Sequence, residues 1–260
     1  CAGTMNGSID LDVTGGTSPF TYSWSGPNGF VASIQDINGL ASGTYTVTVA
    51  DDNGCSISLT RTITAPTPMA VTLSASVFGA NNISCTGASD GSLNTTPSGG
   101  TAPYAFSWTG PNGFNANTED LSGLSVGTYT LLVTDANGCT TSAQATLTEP
   151  QPLDATLTTS LAANGDAIAC HGNASGSISV NISGGNQPWA VQWSGPNGYS
   201  ANTPAIDDLG AGTYTAIITD ANGCTISRQV TLTQPDPLVA TGVVSAFNGS
   251  GISCANAADG

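Results

Sequence analysis

Gly43-Thr-Tyr-Thr-Val-Thr-Val-Ala-Asp-Asp-Asn-Gly-Cys55 sets the reading of the whole chain, because the chain writes it three times. It returns as Gly127-Thr-Tyr-Thr-Leu-Leu-Val-Thr-Asp-Ala-Asn-Gly-Cys139 and as Gly212-Thr-Tyr-Thr-Ala-Ile-Ile-Thr-Asp-Ala-Asn-Gly-Cys224, 84 and then 85 residues further on. In each copy Tyr, Val, Leu or Ile alternates with Thr, the period of a strand with one buried face, and an Asn-Gly pair follows, the mark of a tight hairpin. A fixed period of this size means an array of small units.

Working outward, each copy sits in the same frame. Pro66-Thr-Pro68, Pro150-Gln-Pro152 and Pro235-Asp-Pro237 fall at one phase of the repeat. Proline fixes φ and cannot donate to a ladder, so each tripeptide ends a last strand and stiffens a junction. The boundaries that follow are residues 1–66, a repeat lacking its first strand, 67–150, 151–235, and 236–260, the start of a fourth. In the first repeat Ser8–Val13 alternates as a strand, Phe20–Trp24 alternates again, Gly26-Pro-Asn-Gly29 is a turn, and Ile57–Ile63 returns beside the organising strand. The second and third repeats each add a leading strand, Met69–Val77 and Leu153–Ser160.

No window carries helical periodicity, and about seven short strands per repeat with regular turn signals describe an all-β chain of tandem immunoglobulin-like antiparallel β-sandwiches of about 85 residues. Trp24, Trp108 and Trp193 hold the third-strand position where such sandwiches bury a tryptophan. Tyr45, Tyr129 and Tyr214 close Leu-x-x-Gly-x-Tyr segments of the tyrosine-corner type, and these six aromatics are the expected core.

The 260 residues contain no lysine, two arginines, one histidine and 17 acidic residues, for a net charge of −15. That balance opposes nucleic acid and anionic membranes, both of which are bound through Lys and Arg. No apolar run reaches the about 18 residues of a membrane-spanning helix. The chain begins and ends mid-repeat, so it reads as a piece of a longer protein whose export signal or anchor lies elsewhere.

Seven cysteines at 1, 55, 85, 139, 170, 224 and 254 keep step with the repeat. Zinc would require CxxC pairs or Cys/His clusters, so the spacing points to disulfides and an oxidising, extracellular setting. Three pairings are open. Cys1–Cys55, Cys85–Cys139 and Cys170–Cys224 would each close a loop of 54 residues within a repeat, worth about 4 kcal/mol by chain entropy. Cys55–Cys85, Cys139–Cys170 and Cys224–Cys254 would cross the repeat boundaries. A third scheme would join more distant cysteines, such as Cys1 and Cys139.

Taken together, Cys…Asn/Asp-Gly-Ser-Ile…Gly-Gly-Thr-x-Pro-Tyr-x-x-x-Trp…Leu-x-x-Gly-Thr-Tyr-Thr-Val-x-Val-Thr-Asp-Ala-Asn-Gly-Cys resembles the SprB-type repeat, three times over. The resemblance implies a module of very large cell-surface adhesins of gliding Bacteroidota, exported by type IX secretion. It therefore implies an extracellular, adhesive or structural role, without naming a ligand. The Gly-Pro-Asn-Gly-aromatic turn after each Trp and the long loop before each half-module cysteine depart from the common pattern.

The remaining candidates have ordinary alternatives. Asp51, Asp135 and Asp220 are oxygen donors at turns, usable by calcium, but Asp also caps turns. Phe30, Phe114 and Tyr199 beside the Gly-Pro-Asn-Gly turns could stack on a sugar or a neighbouring module, or turn inward. Trp189 reads as core edge. His171 is unique to one repeat and Asp207-Asp208 reads as a solvated pair, so no acid, base or nucleophile recurs and the chain is not an enzyme. The expected role is an extracellular, semi-rigid stalk or fibre whose partners are adjacent repeats of the same chain. An array of weak carbohydrate- or calcium-dependent sites binding surface polysaccharide is the alternative, and lateral polymerisation with like chains through edge strands is a third.

Overall fold

The structure, a computed structural model, describes residues 1–243. Most of the expected fourth repeat, Cys254 included, lies outside the described residues. The chain divides into two compact units, Cys1–Glu149 and the residues from Pro150 onward.

The first unit holds two sandwiches. Its first run of strands is β1 (Gly7–Ile9), β2 (Thr21–Ser25), β3 (Val31–Ala32), β4 (Ile37–Leu40), β5 (Gly43–Ala50) and β6 (Ser56–Ile63). The second run is β7 (Ala70–Ala75), β8 (Gly91–Ser98), β9 (Ala105–Thr109), β10 (Asn115–Ala116), β11 (Leu121–Leu124), β12 (Gly127–Thr134) and β13 (Thr140–Leu147). In the second sandwich a three-stranded sheet ordered β11-β8-β7 faces a four-stranded one ordered β10-β9-β12-β13. The first sandwich keeps the four-stranded sheet, β3-β2-β5-β6, but its other sheet is only β1-β4.

The second unit repeats the complete pattern with β14 (Asp154–Thr159), β15 (Gly176–Ser183), β16 (Ala190–Ser194), β17 (Ser200–Ala201), β18 (Ala205–Leu209), β19 (Gly212–Thr219) and β20 (Thr225–Leu232). Its sheets are β14-β15-β18 and β17-β16-β19-β20. All pairings are antiparallel, and helix among the described residues is confined to single 3-10 turns at Pro27–Gly29, Pro111–Gly113 and Pro196–Gly198. None of it is long and apolar enough to cross a membrane. The all-β, immunoglobulin-like expectation holds.

The organising stretch is the centre of each large sheet. β12 pairs along its whole length with β13 on one side and with β9 on the other. Its alternation puts Tyr129, Leu131 and Val133 inside, each at most 2% exposed, with Thr on the outer face. Outward threonines pair across the hairpins, as Thr128 and Thr146 do at 2.9 Å. Trp24, Trp108 and Trp193 are buried in three separate cores, and each indole Nε1–H donates to a loop carbonyl, of Ile34, Thr118 and Thr203 respectively. A large apolar ring thus enters the core with its one donor satisfied.

The first sandwich corrects one expectation. Ser8–Val13 alternates as a strand should, yet β1 stops at Ile9. In the second sandwich the outer half of β8, from Asn94 on, is held by β7. Among the described residues nothing lies beside residues 10–14 in the manner of β7, and an alternating sequence without a partner makes no ladder.

Candidate functional site: a disulfide set by the Asn-Gly turn

The Asp-Ala-Asn-Gly-Cys turn is built by its aspartate. Asp135 Oδ1 accepts from the backbone N–H of Asn137 and Cys139 at 2.9 and 2.8 Å, and Oδ2 accepts from Thr101 N at 3.0 Å. Asn137 Nδ2 donates to Thr101 Oγ1 at 2.9 Å, locking the Gly99-Gly100-Thr101 loop to the turn. Gly138 takes φ +78°, which an L side chain resists and glycine accepts freely. Asp220 repeats these contacts with Asn222, Cys224 and Asn186, and Asp51 with Asn53, Cys55 and Thr17.

The three carboxylates proposed as calcium ligands are therefore turn caps, their oxygens already engaged by backbone donors. Among the described residues no three His, Cys, Asp or Glu side chains gather as a metal would need. Burial works against the charge on Asp135, but the N–H donors of Cys139, Thr101 and Asn137 outweigh it and hold its carboxyl below the usual value.

The turn delivers Cys139 into the protein, 9% exposed, where it is disulfide-bonded to Cys1 with the Cα atoms 5.3 Å apart. The within-repeat pairing is thereby corrected. Cys55 precedes β6, whereas the Cys1 end of β1 abuts Ile63 at the far end of that strand. Eight residues of strand span about 25 Å, against the about 7 Å limit for bridging Cα atoms. The same separation holds Cys85, whose neighbour Ile83 bonds Thr148, away from Cys139. Cys85 and Cys224 are also disulfide-bonded, whereas Cys55 and Cys170, expected in bridges, are exposed free thiols.

The candidate contact aromatics turn inward. Phe30, Phe114 and Tyr199 meet the corner tyrosines Tyr45, Tyr129 and Tyr214 edge to face, with ring centroids 5.3, 5.4 and 5.6 Å apart. The corner hydroxyls in turn donate to the carbonyls of Ala41, Ser125 and Gly210 at 3.0, 3.0 and 3.1 Å. Burial raises the pKa of Tyr129 and Tyr214. Each loop ring is half-buried against its own sandwich. Trp189 packs at the edge of the third core and donates to Gly184 O. His171 lies at 3.2 Å from Pro235 O, with no acidic group beside it among the bonds it makes.

One contact carried no signal in the repeat. Arg228 reaches from β20 to β14, donating from Nε to Ala155 O at 3.0 Å and forming an ion pair with Asp154. That hydrogen-bonded guanidinium, with the Ala155 amide, holds the Asp154 carboxyl below its usual value.

Residues 1–29, 78–113 and 168–198 match the family described as SprB repeat. No curated protein sequence matches the chain. Among solved structures, a tetra-tandem repeat in the extending region of a large adhesion protein aligns with 84% of this chain and 68% of its own, at 18% identity and a TM-score of 0.31. The eight N-terminal Ig domains of Down syndrome cell adhesion molecule align with 88% of this chain and 34% of their own, at 12% identity and a TM-score of 0.33. Extracellular domains 3–5 of Drosophila OTK align with 83% and 86%, at 11% identity and a TM-score of 0.27.

Proposed function

We propose that this chain, which carries three SprB repeats, extends an extracellular adhesin of the bacterial surface as a row of immunoglobulin-like sandwiches stapled one to the next. The boundaries 1–66, 67–150, 151–235 and 236–260, with Pro-x-Pro at each junction, belong to this proposal. So do the gliding and type IX secretion context that accompanies SprB repeats. The role is structural, and the partners it calls for are neighbouring repeats.

The observation that carries the proposal is the Cys1–Cys139 disulfide. It ties the segment before the first strand of one sandwich to the hairpin turn of the sandwich that follows. A loop of 138 residues removes about 5 kcal/mol of unfolded-chain entropy. It also reroutes force. Tension entering at Cys1 and leaving beyond Cys139 runs through the sulfur–sulfur bond and bypasses the first sandwich, while β13 of the second, which follows Cys139, stays in its path. Such a bond also persists best in an oxidising, extracellular setting.

Single-molecule extension tests this on the intact chain, pulled from its two ends. In oxidant, no unfolding step from the first sandwich is expected. After reduction, new steps of at least roughly 450–500 Å in total should appear, since the 138 residue steps between the two cysteines each extend by about 3.3–3.6 Å and the bonds at Cys85 and Cys224 open in the same reductant. Equal extension with and without reductant sinks the proposal.

A further inference from the structure

The outer face of the large sheet is built alike in the second and third sandwiches, and it carries no charge. In the second, β9, β10, β12 and β13 contain no acidic or basic residue at all. β12 turns Thr128, Thr130, Leu132 and Thr134 outward, and the strands on either side add only Ala, Ser, Thr and Gln. In the third, Arg228 is the one charged residue of β16, β17, β19 and β20, and it reaches away from this face to Asp154 on β14. On a chain with a net charge of −15, these neutral faces stand apart from the acidic loops and turns.

At the centre of each face stands one apolar side chain. Leu132 is 44% exposed between Ser107 and Ser142, and Ile217 is 43% exposed between Gln192 and Ser227. Around them the polar groups already serve one another. Thr128 and Thr146 share a hydrogen bond at 2.9 Å, and Gln144 Nε2 donates to Thr130 Oγ1 at 2.9 Å. Thr213 with Thr231 at 2.9 Å, and Gln229 with Thr215 at 3.0 Å, repeat the pattern. The first sandwich differs at the centre, where Thr48 stands and bonds Ser58 at 2.9 Å.

An apolar centre inside a polar rim is the anatomy of a protein interface. Covering a hydroxyl that has no partner costs free energy, whereas these are paired within the face before anything docks. The same pairing uses up donors and acceptors that a sugar would need, and no aromatic ring faces outward to stack on one. A charged partner finds no counter-charge there. What fits is a second surface of the same kind, and another copy of the chain supplies it. Copies that each carry −15 repel, and a neutral face lets them meet without setting like charges against each other. Four strands about 4.8 Å apart, with five to eight residues at about 3.4 Å each, give roughly 300–500 Å² per partner, the size of a weak, reversible contact.

We propose that the outer face of the second sandwich docks on the same face of a second copy of this chain, and that the outer face of the third does likewise. Each contact is isologous, with its two-fold axis in the plane between the sheets. The sheets stack about 10 Å apart with their strands within about 30° of each other. Leu132 packs on the partner's Leu132, threonine methyl groups close around them, and the paired hydroxyls form the rim. Ile217 plays the same part in the third sandwich. The first sandwich, with Thr48 at its centre, takes no part.

The contact uses neither a cysteine nor a strand edge. It is independent of the disulfide staple invoked for the proposed function, and the two readings fail separately. Two weak faces on one chain reinforce each other when both engage the same partner. The sign of the salt effect is fixed as well. Salt screens the repulsion between copies, so association strengthens as salt is added, the reverse of a contact held by opposite charges.

Sedimentation of the full, oxidised chain over a concentration series, at low and at high salt, is the test. Mass should rise with concentration, and more steeply in high salt. Leu132→Thr combined with Ile217→Thr gives both faces the residue that the same sheet already holds at Thr48, so folding is preserved. That pair should weaken association by about tenfold or more. Leu132→Asp combined with Ile217→Asp sets like charges together and should abolish it. In methyl spectra of the parent, Leu132 and Ile217 should shift with concentration, while Leu161, 74% exposed in a loop, stays in place. A monomer at every concentration overturns the proposal, as does association indifferent to the threonine pair or association that weakens with salt. Shifts at Leu132 that appear only with added dextran would assign the face to a neutral glycan and overturn it too.

Discussion

The first and second sandwiches share a core design and differ at one edge. Both bury a tryptophan whose indole donates to a loop carbonyl, and both tether a corner tyrosine hydroxyl at 3.0 Å. Yet β8 runs eight residues and β1 three. Cys139 is 9% exposed where Cys55 is open to solvent, and Asp135 is 5% exposed where Asp51 is half-buried. All these differences fall where β7 lies against β8 and β13 in the second sandwich. One six-residue strand thus accompanies the length of its neighbour and the burial of the turn aspartate at its end, Cys139 being covered besides by its bond to Cys1, while the tryptophan core is indifferent to the strand. Strand character at the edge belongs to the pair and not to the sequence of one partner.

Amide exchange should show the largest contrast. The amides of Asn94, Thr96 and Ser98, on the edge that β7 covers, should be protected about a hundredfold or more relative to those of Asp10, Asp12 and Thr14, whereas Thr95 and Leu11, whose N–H groups bond Asp120 and Asp36, should differ less. Equal rates would mean that the first sandwich finds its missing strand by some other route. The glycines give the next largest difference. Gly99→Ala drives a methyl into the Pro68 carbonyl at φ +68°, whereas Gly15→Ala meets only the backbone strain of φ +77°. We expect a loss of about 3 kcal/mol or more for the first and about 1 kcal/mol for the second, read from denaturant midpoints. If both alanines cost the same, packing by the first strand is not what separates the two sandwiches.

Much of this was legible before any coordinates. The thrice-written Gly-Thr-Tyr stretch reported its own burial, because a strand paired on both sides shows its inner face as simple alternation. Trp24 and Tyr45 were legible through position, since a lone large aromatic at a fixed offset from a Gly-x-Tyr corner has one place to go. The cysteines were not. Chain separation favoured Cys1 with Cys55, but strand direction decides which end of a sandwich each sulfur occupies, and one strand length exceeds what a disulfide can bridge. Ser8–Val13 misled for a related reason: its alternation is real, but among the described residues no strand pairs with its second half. The Arg228–Asp154 tie broke the repeat and so left no periodic signal to read.

The loop aromatics offer a smaller effect and a control. Phe114→Leu and Phe30→Leu each remove one edge-to-face contact with a corner tyrosine, at nearly the same geometry on the closed and the open sandwich. Each should cost about 0.5–1.5 kcal/mol beyond lost area, and the two costs should agree. A much larger cost in the first sandwich would show that the open edge weakens packing well beyond its own strand.

Acid should produce the smallest effect, and its sign is fixed. The folded-state pKa of Asp135 is depressed below 3.8, so its contribution is fully present above that value and disappears as the pH falls through the folded pKa. With the disulfide kept oxidised, Asp135→Asn should lower stability at neutral pH, and its gap from the parent should narrow as the solution is taken below about pH 4. Asp51→Asn, at a more exposed carboxylate in the open sandwich, should cost less at neutral pH. A gap for Asp135→Asn that stays constant down to about pH 2 would mean that the carboxylate matters there for its shape and not for its charge. The turn would then be held by geometry alone, and the difference between the two hairpins would reduce to the presence of the neighbouring strand.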